Sequence, residues 1–160
     1  MVSLSKLVAI AAAALVILAS YEFYVMQAQQ GDFTGSVPSA FTVDGKTYTF
    51  TYSATTPAER QTGLMNKMIT DATTMLFAFP SFGRWSFWMY DTNSSLDMVW
   101  LNATGASARV VFVVTSAPPC YDSAACAVYT PPSPANFVIE AKAGFAAANG
   151  VAVGSAVTLS

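Results

Sequence analysis

The chain of 160 residues contains no histidine. That absence removes the imidazole on which Ser-His-Asp and Cys-His catalysis depends, and with it an ordinary zinc or copper ligand. Charge is scarce too: Lys and Arg number 7 and Asp and Glu 9, together 10% of the residues, for a formal net charge of −2. There is no basic footprint, so nucleic acid is excluded as an expected partner. Cysteine occurs twice. A metal site would need carboxylates to complete its four donors, so neither metal nor cofactor is expected. Apolar material is plentiful at 54% hydrophobic and 13% aromatic. That is enough to bury the core of one domain with an appendage, and too much for a disordered chain.

Residues 7–19 form an unbroken apolar run behind Lys6, and 21–26 extend it to about 20 residues, ~30 Å as a helix, which just spans a bilayer. The segment 1–26 therefore reads as a membrane anchor or a signal segment. Ser20, Tyr21 and Glu22 interrupt the end of the run, as in a cleaved signal peptide. The anchor reading is preferred because no small-x-small site follows, while Tyr21, Phe23 and Tyr24 suit an interfacial aromatic belt. Lys6 is the only basic residue before Lys46, so the N-terminus is expected to stay cytoplasmic. The expectation is a single-pass protein of the cell membrane, held through its N-terminal helix with the C-terminal domain outside the cytoplasm. Residues 27–40, with Gly31, Gly35 and Pro38 among polar residues, read as a linker, and 41–160 as an extracytoplasmic domain.

The domain is organised around residues 84–101, RWSFWMYDTNSSLDMVWL, which hold all three tryptophans. At period two, Trp85, Phe87 and Met89 share one face of a first strand, opposite Ser86, Trp88 and Tyr90. After a break at 91–95, Leu96, Met98 and Trp100 share a face, and Asp97 falls on the other with Val99 and Leu101. Upstream, Asp44-Gly45 supplies a type I′ turn between alternating segments, and the second of these is expected to continue through 49–53. Thr56, Pro57 and Glu59 form an N-cap, first-turn proline and capping box, predicting a helix to about residue 66. Gly63 inside it predicts either close backbone packing or an early end, with Leu64, Met65 and Met68 facing the core. Residues 75–79 read as a strand and 80–83 as a turn. RVVFVVT at 109–115 reads as a central strand, 117–134 as a proline-rich loop and 137–141 as a strand. One helical turn at 144–149, stopped by Gly150, precedes a last strand at 156–159. The predicted fold class is mainly β: a β-sandwich or partly open barrel with one short helix, preceded by an N-terminal transmembrane helix.

AERQTGLM at 58–65, MLFAF at 75–79, FWM at 87–89, Thr92, Leu96-Asp97, Pro119-Cys120, Cys126, Tyr129, VIE at 138–140 and Gly144 occur in this order. Over roughly residues 49–159 the chain thereby resembles the DUF192 family, also called UPF0127, of small bacterial and archaeal proteins. The resemblance implies a mostly-β, sandwich-like domain, often with a signal or anchor segment, and implies no activity. Two positions depart from the family pattern: Asp91 stands where an asparagine is usual, and Ser95 where a proline is usual, which predicts a less rigid loop between them.

Cys120 and Cys126 enclose a tight loop, and in an oxidising exterior a disulfide is the simplest reading, worth roughly 2 kcal/mol by loop entropy. A redox pair would want the closer Cys-x-x-Cys spacing and an electropositive setting. Asp97 and Glu140 each interrupt strongly apolar strands, so each needs a partner or water, and Arg60 on the capped helix is a candidate for one of them. The plain reading is an ion pair pinning helix to sheet. The catalytic reading makes Asp97 and Glu140 general acid and base of a hydrolase, with Arg60 holding charge. Trp85, Trp88 and Trp100 are either core or, where exposed, a stacking face for sugar rings. Asn93 and Asn102 head N-glycosylation sequons. The predicted function is a membrane-tethered binding or scaffolding module of the cell envelope, with an envelope glycan or protein as partner. The alternative is a carbohydrate-directed envelope hydrolase.

Overall fold

In the computed structural model, which describes residues 31–160, the first hairpin forms where the sequence places it. Asp44 and Gly45 adopt φ of 49° and 72°, and β1 (Ala40–Val43) pairs antiparallel with β2 (Lys46–Thr49). There the first difference arises. Residues 49–53 are not one strand: β2 stops at Thr49, and β3 (Tyr52–Ala54) pairs parallel with β4 (Thr74–Gly83) instead. The break lets Ala54, fully buried, sit opposite Phe77 in a different part of the sheet.

The remaining elements are α1 (Pro57–Thr62), β5 (Phe87–Trp88), β6 (Leu96–Thr104), β7 (Ser107–Ala117), β8 (Val128–Tyr129), β9 (Ala135–Lys142), α2 (Phe145–Ala148) and β10 (Ala156–Leu159). Eight strands form one sheet in the order β2-β1-β10-β7-β6-β9-β4-β3, and β5 and β8 form a separate two-stranded ribbon. Strands β2 and β3 are separated in the chain by only Phe50 and Thr51, yet occupy the two ends of this sheet. The sheet must therefore curl until its edges approach. There the Thr51 N–H donates to the Thr74 carbonyl at 2.9 Å, and the Thr74 hydroxyl to the Thr49 carbonyl at 2.8 Å. The result is a half-barrel, the partly open barrel of the two predicted architectures.

Both sheet faces are buried. Along β6, Leu96, Met98 and Trp100 pack with Phe77, Phe79 and Val138, while Val99 and Leu101 pack with Phe41, Leu76 and Ile139 on the other face. The predicted division of β6 between faces is what forms. The first half of the tryptophan stretch shrinks to β5, because its partner β8 is equally short and lies inside the proline-rich loop. The predicted turn at 80–83 is strand, with an irregularity in pairing between Ala78 and Gly83. Two short helices occur among the described residues where one helix and one helical turn were expected. The predicted transmembrane helix lies outside the described residues.

Helix α1 takes the early end. Gly63 has φ of 46°, and a Cβ there would lie 3.3 Å from Phe77 Cζ. Met68, expected in the core, is 83% exposed because the helix stops before reaching it. The start is tightly held: Thr56 Oγ1 accepts from the Glu59 N–H at 3.3 Å, and Glu59 Oε2 accepts from the Thr55 and Thr56 N–H groups at 2.8 and 3.0 Å. Those amides, Thr55 first, hold the Glu59 carboxyl down to about 2 from an ordinary 4.5. The stabilisation from Glu59 is therefore complete above the unfolded value near 4.5 and is lost as pH falls towards 2. Thr56→Ala should lower unfolding free energy at pH 7 by about 1 kcal/mol in urea titration. No change in the midpoint would contradict the capping role.

Candidate functional site

Asp97 is 1% exposed. Its Oδ1 accepts from the Ser116 N–H at 2.8 Å, and its Oδ2 from the N–H groups of Gly144 and Ala146 at 3.1 and 2.8 Å. Three main-chain donors thus satisfy the carboxylate and tie the end of β7 and the start of α2 to β6. Charge-assisted bonds of this kind are about twice as strong as neutral ones. The local backbone is shaped for it: Ser116 and Gly144 both have positive φ, 53° and 95°. The predicted ion pair with Arg60 does not form.

Arg60 is also buried, at 7% exposure. Its Nη1 donates to the carbonyls of Thr55 and Ala78 at 2.8 and 2.9 Å, its Nη2 to the Gly31 carbonyl at 2.9 Å, and its guanidinium lies 5.2 Å over the Phe79 ring. Through these main-chain oxygens the guanidinium joins the helix to β4 and to the segment at Gly31. Among the described residues the one ion pair is between Lys142 Nζ and Asp71 Oδ1, at 2.7 Å on the surface.

Glu140 faces the other way from Asp97. In the antiparallel pairing of β6 with β9, Asp97 lies opposite Ala141 and Met98 opposite Glu140. Directly opposed residues share a face and successive residues alternate, so the two acids project from opposite faces. Asp97 and Glu140 therefore do not flank one substrate. Glu140 is 4% exposed, and no described residue hydrogen-bonds its carboxyl. Burial alone pushes its pKa from 4.5 to about 8, so it is protonated at neutral pH.

Glu140 forms part of a cleft of about 50 Å³ shared with Arg60 and the end of α1 from Gln61 to Met65, and walled by Phe77, Phe79, Phe87, Trp88 and Tyr90. The tryptophans separate. Trp100 is fully buried, with Nε1 donating to the Trp85 carbonyl at 2.8 Å. Trp85 is half-buried and stacks on Phe79 with ring centroids 4.5 Å apart and planes 9° from parallel. Only Trp88 of the three lines the cleft, half-buried beside Tyr90.

The Cys120–Cys126 disulfide forms and supports that wall. The Cys120 N–H donates to the Met89 carbonyl at 3.2 Å and the Asp91 N–H to the Cys120 carbonyl at 2.8 Å, so the disulfide loop is tied to the chain just after β5. Beyond the loop, β8 pairs with β5 itself. Asp91 has φ of 49°, a left-handed conformation that aspartate and asparagine both tolerate. Asn93 and Asn102 are exposed.

The phenylalanine and tyrosine walls were not singled out from sequence. A signal for them existed, because segments 58–65, 75–79, 87–89 and 138–140 and Thr92 converge here. Of the lining residues, only Ser86 and Tyr90 lie outside the motifs that carry the family resemblance. Comparison with known proteins agrees. The DUF192 family, described as "Uncharacterized ACR", matches residues 40–159. A solved chain from Sinorhizobium meliloti 1021, described as a proposed transcription regulator, is 26% identical with a TM-score of 0.62, covering 78% of this chain and 98% of its own. A protein of unknown function from Novosphingobium aromaticivorans DSM 12444 is 24% identical with a TM-score of 0.60, covering 82% and 94%. No curated protein matches the sequence.

The two acids should respond oppositely to amide substitution. Asp97→Asn sets an NH₂ group against main-chain donors and should cost roughly 2–4 kcal/mol of unfolding free energy. For Glu140 the native state holds a proton that the unfolded chain releases, so stability is fully present below 4.5 and falls as pH rises to about 8. That slope is at most about 1.4 kcal/mol per pH unit. Glu140→Gln should flatten this decline in urea titrations at pH 5, 7 and 9. An unaltered decline would show that Glu140 does not carry the proton.

Proposed function

The chain belongs to the DUF192 family, and from that premise we propose that it is a membrane-tethered extracytoplasmic module whose Glu140 cleft binds a group presented in the cell envelope. The observation that carries this reading is a buried carboxyl without a described hydrogen-bond partner, opening on a cleft walled by aromatic rings. The Glu140 carboxyl opens on the cleft, so a bound group meets it in surroundings poor in water, where a hydrogen bond counts for more. Binding without chemistry is preferred to hydrolysis because Asp97 lies on the far face with its oxygens committed to three amides. The partner class is an envelope glycan or protein.

Tethering is supported by the apolar run ahead of the domain and by the disulfide, which persists in oxidising surroundings. The segment leading into the domain lies beside the cleft: the Gly31 carbonyl accepts from Arg60, and the Phe33 N–H donates to the Thr55 carbonyl at 2.8 Å. Only residues 27–30 lie between the proposed anchor and that contact. Even fully extended they reach roughly 14 Å, which keeps the cleft near the membrane surface.

Carbonate washing should leave the full chain in the membrane fraction of a bacterial host, and protease added to spheroplasts should digest the domain. Recovery in the soluble cytosolic fraction, with Cys120 and Cys126 both open to thiol labelling, would overturn the reading.

A further inference from the structure

We propose that the Glu140 cleft receives a primary alkylammonium group, of the kind a lysine side chain or a free aliphatic amine presents. The inference rests on the binding reading above and names the ligand's chemistry. Three observations select it. First, the group awaiting a partner is a carboxyl, 4% exposed, with no hydrogen bond from any described residue. An anion would meet the negative faces of the aromatic rings and an acid that cannot ionise beside it. A cation meets attraction from each: a charge-assisted bond about twice as strong as a neutral one, and the pull of the aromatic quadrupole. Second, the space is narrow. With room for a few water-sized groups, about 50 Å³, its inner part admits an ammonium and a short methylene chain. Third, the walls Phe77, Phe87 and Trp88 offer apolar surface along that path, suited to methylenes with a charged tip.

The cation already at the cleft does not fill this role. Arg60 is directed at the carbonyls of Thr55, Ala78 and Gly31, and makes no ion pair with Glu140. Arg60 and Tyr90 are the other titratable groups on the cleft, and the strands flanking Glu140 set Met75 and Met98 opposite it, neither charged. Binding then couples to one proton. The protonated acid and the ammonium form a carboxylate–ammonium pair, and the acid's proton leaves to solvent. Because burial holds Glu140 protonated up to about pH 8, affinity should rise as pH approaches 8 and then level off until the amine itself deprotonates.

The test is calorimetric titration of the full chain in detergent micelles with n-butylammonium, 1-butanol, butyramide, cadaverine and N-acetyl-lysine amide. The ammonium probes should bind at least tenfold more tightly than butanol or butyramide at pH 8. Affinity should be lower at pH 6.5, where up to one proton is released, read from buffers of different ionisation enthalpy. Glu140→Gln, with its melting transition intact, should reduce n-butylammonium affinity at least tenfold. Proton release by the unsubstituted chain decides the matter should the variant not fold. Tighter binding of cadaverine would identify free amines as the source, and tighter binding of acetyl-lysine amide would identify lysine side chains. Equal affinity for butyramide and n-butylammonium, or binding without proton release, would overturn the ammonium assignment and leave a binding cleft. Failure of every probe would overturn both readings.

Discussion

Between β6 and β9 the antiparallel register sets Met98 against Glu140 and Asp97 against Ala141, and the surroundings of both buried acids follow from that alignment. Strands alternate side chains between faces, so two acids in adjacent strands either meet or are separated by the full thickness of the sheet. A slip of one residue would exchange every inward and outward position. It is resisted by the flanking hydrophobes: Leu96, Met98 and Trp100 fill one core while Val99 and Leu101 fill the other. The hydrophobic pattern therefore also fixes where the carboxyls point.

Once separated, the acids acquire different physical characters from the same burial. Asp97 is nearly inaccessible and fully hydrogen-bonded, its charge distributed over the amides of Ser116, Gly144 and Ala146. It replaces the solvent a carboxylate would otherwise require and holds three segments in one geometry. Glu140 has comparable burial without such donors, and remains neutral instead. A neutral acid in an aromatic recess is a weak structural element but a receptive one, which is why the ligand-binding reading attaches to Glu140 and a stabilising role to Asp97.

The cleft itself depends on contacts remote in sequence. Its floor comes from β9, one wall from β4, another from β5, and its rim from the end of α1. The β5 wall is only two residues long and owes its position to β8 and to the disulfide loop that leads into it. Gly63 lets the chain turn away at the end of α1 close to the Phe77 ring, where a side chain would crowd the recess. The same aromatic surface that closes the second core thus opens into the cleft at one end.

The local rules were legible without coordinates. The Asp44-Gly45 turn, the Thr56–Glu59 capping box, the two faces of β6 and the central placement of 109–115 all rest on interactions within a few residues, or on a period that one strand displays by itself. The cysteine pairing was likewise accessible, because the two residues stand close in the chain. What tertiary structure alone decided was which buried group meets which. Arg60 turned to carbonyls, Asp97 to amides, β3 crossed to the far edge of the sheet, and Trp88 rather than Trp85 or Trp100 reached the cleft. Each of those outcomes depends on the relative register of strands far apart in sequence, and a side chain's own pattern specifies its face but not the neighbour that faces it.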